Sequence, residues 1–160
     1  MNAFATGASD LITLLTNFHG RISRKPWWIG YLVIVVVSLL GTAVLNPAFF
    51  TAEGPPPSWP DTIWQLAMTV PLVAITVKRF NDRDSPWWLG YVTAPLTALQ
   101  FVTPHFGLQI DPATPGAGRI IFWVVGVILL VIFVDNGFFR GTDGPNHYGP
   151  DPLQRSPGTP

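Results

Sequence analysis

The 160-residue chain contains no cysteine. That excludes a disulfide framework and any thiolate chemistry. Charge is almost as scarce: 11% of residues are Asp, Glu, Lys or Arg and 48% are hydrophobic, whereas about a quarter of an ordinary soluble domain is charged. The three histidines, His19, His105 and His147, lie far apart without metal-ligand spacing, so neither a metal nor any other cofactor is expected. The segment before Phe18 has no basic start and its apolar residues are spaced rather than continuous, so no cleaved signal is expected there.

What the chain does have is uncharged length. Trp27–Leu45 runs for nineteen residues without an acid or base, and at about 1.5 Å per residue it covers nearly all of a ~30 Å hydrocarbon core. Ile63–Val77, Trp87–Val102 and Ile120–Val134 are also free of Asp, Glu, Lys and Arg. With flanking residues they predict an all-α, polytopic membrane protein of four transmembrane helices, at about 27–45, 60–77, 87–102 and 117–134. Residues 1–152 form a single membrane domain in this reading, and 153–160 a disordered tail. A two-span chain with two re-entrant or interfacial segments is the alternative. Pro71 and Pro95 lie near the centres of the second and third runs and predict kinks, which neighbouring helices in a membrane can tolerate. Leu11, Leu14, Leu15 and Phe18 recur at helical spacing behind Ser9 and Asp10. They predict a short amphipathic N-terminal helix, either interfacial or docked as in a soluble protein.

"PWWIGYL" at Pro26–Leu32 returns as "PWWLGYV" at Pro86–Val92. Tryptophan favours the headgroup level, and each doublet follows basic residues: Arg21, Arg24 and Lys25 before the first, Lys78, Arg79 and Arg83 before the second. Arg140 and Arg155 follow the fourth run, and the loop "NPAFFTAEGPPPSWPD" has no base. The positive-inside bias therefore puts both termini in the cytoplasm. Both doublets then open a helix from the same side, as two parallel helical hairpins would, or as a convenient helix start used twice would.

Polar residues gather in three blocks on that predicted cytoplasmic face: "FHGRISRK", "KRFNDRD" and "FFRGTDGPNHYGPDP". Arg21, Arg24 and Arg79 are expected to pair with Asp82, Asp84 and Asp135. Interfacial anchoring is one account of the blocks. The other is a shared site for an anionic lipid headgroup or a partner segment, with Arg21, Arg24, Arg79, Asp82, Asp84, Asn146 and Tyr148 as its candidates. Asp82-x-Asp84 also raises a magnesium-dependent reading, though this spacing alone specifies little. The third block predicts a compact turn-rich segment. It lacks the preceding strand and following lysine of a P-loop.

The succession of "GRISRKPWW", "KRFNDRDSPWWLGY" and "GTDGPNHYGPDP" resembles a small bacterial inner-membrane family catalogued as domain of unknown function 805, over roughly Phe18 to Pro152. The family-like positions are Gly20, Arg21 and Arg24, then Arg79, Asp82, Asp84 and Trp87, then Gly141, Gly144, Asn146, Tyr148, Gly149, Pro150 and Pro152. Asn81 stands where relatives often carry His, which argues against acid–base chemistry at that place. The resemblance implies an integral membrane protein whose activity is open. The expectation is a multi-pass protein of the bacterial inner membrane with a non-catalytic interaction or membrane-organising role. A small transporter or channel subunit, or a metal-dependent enzyme acting on lipid phosphate, are the alternatives. Expected partners are the lipid bilayer, anionic lipid headgroups, and a membrane-protein partner or second copy, with no nucleic acid among them.

Overall fold

The computed structural model describes residues 8–50, 57–108, 110, 112–113 and 115–154. Among them the regular elements are helical: α1 (Ala8–Thr16), α2 (Arg24–Leu45), α3 (Trp59–Asp82), α4 (Trp88–Tyr91), α5 (Thr93–Val102) and α6 (Ala117–Phe138). Short 3-10 turns at Pro47–Phe50 and Thr103–Phe106 follow α2 and α5. Among the described residues three helices, α2, α3 and α6, are long and apolar enough to cross a membrane. The expected third span is instead divided at Val92 into α4 and α5. Pro95 sits in the first turn of α5, where a missing N–H costs little. Helix α3, by contrast, continues unbroken through Pro71.

The helix ends are written locally. Extended Ser23 precedes α2, and Pro26 falls in its first turn, where a proline ring is tolerated. Helix α3 stops in a Schellman turn, with Ser85 N–H donating to Phe80 O (3.1 Å) and Asp84 N–H to Asn81 O (3.1 Å). Asp84 takes the left-handed conformation this turn needs, φ +56°. Aspartate is among the few non-glycine residues that adopt it readily, and Pro86 then prevents the helix from resuming.

Helix α3 is the central element. Val73–Asp82 is buried without interruption, and α1, α2, α4 and α5 pack around it. Trp27, Ile34 and Ile75 form the core, with Leu14, Leu15, Tyr31, Met68, Leu72 and Phe133 against it. The N-terminal helix is thus docked through Leu14 and Leu15. At Gly90, a Cβ would lie 2.6 Å from Val77 Cα, so only glycine lets α4 approach α3 so closely. Helix α6 buries little more than Gly118, Val125, Asn136 and Gly137, while Ile120, Trp123, Val127, Leu130 and Val131 face outward.

The two Pro-Trp-Trp segments differ. Trp27 is 2% exposed, whereas Trp87 and Trp88 are 57% and 53% exposed. Trp27 stacks on Tyr31 and meets Phe133, and Trp28 packs edge-on against Phe133 and Phe138. Of the expected tail, Leu153 and Gln154 close a turn on Asp151, and residues 155–160 lie outside the described residues.

Candidate functional site

Three helices, α1, α3 and α6, end at the same end of the bundle where α2 begins, so many unpaired backbone carbonyls converge there. Such C-terminal carbonyls carry partial negative charge and attract cations. The basic residues answer that need. Lys78 Nζ donates to the carbonyl of Leu14 at the end of α1. Arg79 Nε donates to Asn136 O at 2.7 Å, and its Nη2 donates to Phe139 O, both at the end of α6. Arg24 Nη1 reaches Phe138 O (3.3 Å), and Trp28 Nε1 donates to Gly137 O (3.1 Å).

Asp82 ties these contacts together. One carboxylate oxygen accepts from Arg79 and the other from Arg21. The three side chains are at most 4% exposed. A buried charge is tolerated only when paired and hydrogen-bonded, and Arg21 is saturated accordingly. Its Nη1 donates to Gly144 O (2.8 Å) and Gly149 O (3.1 Å), and its Nη2 to Thr142 O (2.8 Å). Thr142 returns the connection through its N–H to Asp82 O (2.9 Å). A Cβ on Gly141 would collide with the Asp82 carboxylate, so the third block must pass this point as bare backbone.

Asn146 locks the tail in place. Its amide donates to Asn81 O (2.9 Å) and Thr142 Oγ1 (3.0 Å), and its oxygen accepts from Tyr148 N–H (2.9 Å). Asn146 and Gly149 exchange both backbone bonds. The Tyr148 hydroxyl donates to Ser85 O (3.0 Å). Asn81 itself donates to Gly20 O (3.1 Å). Asp151 accepts from the Leu153 N–H (2.8 Å) and the Gly144 N–H (3.1 Å), and these bonds hold its carboxyl below the usual carboxylate range.

Of the sequence candidates, Arg21, Arg79, Asp82 and Asn146 therefore meet in one closed knot, with Tyr148 fastening its edge. Asp84 and Arg24 do not join it as expected. Asp84 is exposed and faces His147 Nδ1 at 3.0 Å, because the left-handed turn swings it away from Asp82. Arg24 contacts a carbonyl rather than an acid, and Asp135 pairs with Arg83 instead. Sequence reasoning missed Thr142, Asn136 and Lys78. The signal for Asn136 was there in "VDNGFF", a polar triplet closing an apolar run.

Beside the knot a cavity of about 180 Å³ opens between the start of α2 and the segment after α6, lined by Ser23, Arg24, Lys25, Arg140, Thr142 and Asp143 among others. Arg24, Lys25 and Arg140 are exposed at its rim, and Arg140 also pairs with Asp143 at 2.8 Å. Among the described residues, no group of three or more His, Asp or Glu side chains is placed to hold a metal ion.

A family model described as "Protein of unknown function (DUF805)" matches residues 15–150. The uncharacterized protein YiiR of Escherichia coli K12 is 28% identical over 147 residues, covering 86% of each chain. The inner membrane protein YhaH of the same organism is 30% identical over 138 residues, covering 85% of this chain and 87% of its own. Inner membrane protein YhaI is 29% identical over 139 residues, covering 85% and 86%. No solved structure matches the chain.

Proposed function

The chain belongs to the DUF805 family of membrane proteins, and from that premise we propose a non-catalytic, membrane-organising role in which a cytoplasmic polar face holds anionic lipid headgroups. The observation that carries it is the division of labour among cations. Arg21 and Arg79 are buried against interior partners, whereas Arg24, Lys25 and Arg140 stand exposed at the rim of the cavity of about 180 Å³, which Asp82, Asp143 and Asp151 also line. Cations at the headgroup level attract anionic lipid by about 1 kcal/mol each. A metal-dependent membrane enzyme acting on lipid phosphate has less support, because Asp82 is occupied by two arginines and Asp84 points to His147.

In this reading the chain crosses the bacterial inner membrane four times with both termini cytoplasmic. Helices α4 and α5, joined through Val92, rise about 22 Å over their fifteen residues. The 3-10 turn at Thr103–Phe106 adds about 8 Å, so the broken segment is long enough for the ~30 Å core. The positive-inside distribution supports the orientation.

The test is native mass spectrometry of protein extracted with its lipids, comparing the wild type with Arg24→Ala/Lys25→Ala/Arg140→Ala. The wild type should retain anionic lipid, and the triple variant should lose most of it while staying in the membrane. Equal retention by both would refute the lipid-holding role.

A further inference from the structure

Toward the other end of the bundle α2, α3, α5 and the 3-10 turn after α2 line a second, partly open cavity of about 340 Å³, within the size range of small-molecule sites. Tyr31, Phe49 and Phe101 contribute aromatic wall. Its polar part is a directed chain: Gln65 Nε2 donates to Thr42 Oγ1 (2.6 Å), and the Thr42 hydroxyl donates to Asp61 Oδ1 (2.7 Å). All three residues line the cavity, and no Lys, Arg or His lines it with them. The favourable position of an acid in the first turn of α3 explains why Asp61 is tolerated there. It does not explain why two further polar side chains fix its orientation beside an open space.

We propose that this cavity binds a primary ammonium ion carrying an apolar or aromatic tail. The chemistry follows from the lining. One Gln65 amide hydrogen and the Thr42 hydroxyl hydrogen are directed along the chain, so the charged group in the lining is the Asp61 carboxylate, with the amide oxygen of Gln65 as a second acceptor. An ammonium group supplies three donors and one positive charge. An anion would meet the carboxylate, and a bare divalent ion would find a single acid where hard cations need several oxygens. The apolar walls bury the tail. Nothing in this site depends on the cationic rim at the opposite end.

Equilibrium dialysis of phenethylammonium against the protein in phosphatidylcholine nanodiscs tests the site, since net-neutral lipid contributes no charge-driven binding of its own. Saturable binding by the wild type is expected. Asp61→Asn should weaken it tenfold or more while leaving binding of the neutral analogue phenethyl alcohol unchanged. Ser38→Phe keeps the carboxylate and fills the cavity, so it should abolish binding of both compounds. No saturable binding by the wild type, or undiminished phenethylammonium binding by either variant, would overturn the proposal.

Discussion

The two ends of the helix bundle solve the problem of polar groups in opposite ways. At the charged end, Arg21, Arg79 and Asp82 are buried and paired, and their hydrogen bonds reach backbone carbonyls of α6 and the segment after it. At the other end Thr42, Gln65 and Asp61 form a chain that borders open space. The first arrangement is closed and binds the chain to itself. The second is preformed and incomplete. The densest charge is thus structural, and the places suited to ligands lie where charge is sparser or better exposed.

The largest effect should come from breaking the closed end. Arg79→Ala leaves Asp82 with one arginine and strips two α6 carbonyl partners. Removing one partner of a buried pair costs about 3–5 kcal/mol, which should appear as a large fall in thermal unfolding temperature in detergent. Such a variant cannot serve as a clean probe of ligand binding, although position 79 looks like a surface candidate in the sequence. Gly141→Ala forces the Asp82 carboxylate to move and should cost about 1–3 kcal/mol as overpacking, by the same measurement. At the open end, Thr42→Ala removes one link of the chain, and a loss of about 1 kcal/mol is expected. If Thr42→Ala destabilised as much as Arg79→Ala, the contrast between the ends would fail.

The smallest effect concerns pH. The folded pKa of Asp151 is depressed by its two backbone donors, so its contribution is present above the unfolded value of about 4 and lost as pH falls through the lower folded value. Protease nicking of the 141–154 segment should rise only under that acidic condition, and Asp151→Asn should flatten the acid dependence.

Uncharged runs made three helices long and apolar enough to cross a membrane legible, because length and hydropathy are local properties of the chain, but not the division of the expected third span at Val92. The grouping of three polar blocks was legible too, since charge is rare enough that its concentration stands out. Pairing was not. Asp82 and Asp84 are two residues apart, and only the left-handed turn at Asp84 sends one inward and the other out. Likewise "PWW" marks a helix start twice, but whether the first tryptophan is buried depends on Tyr31 and Phe133 arriving beside it. Thr42, Asp61 and Gln65 gave no signal, because hydroxyls and amides scattered over two helices converge only once α2 and α3 pack.

The central claim is that the three polar blocks close on one another on a single, cytoplasmic side of the membrane. The cysteine-free chain permits a direct test with single cysteines placed at His19, Asp84 and His147, all exposed at the charged end, and at Glu53, which lies between α2 and α3 in the sequence. Intact spheroplasts are treated with a membrane-impermeant maleimide. Labelling at position 53 alone, with 19, 84 and 147 reacting together only after permeabilisation, is the predicted result. Labelling of one or two of those three positions in intact cells would place the blocks on different sides, labelling of all three would invert the protein, and either would contradict the account.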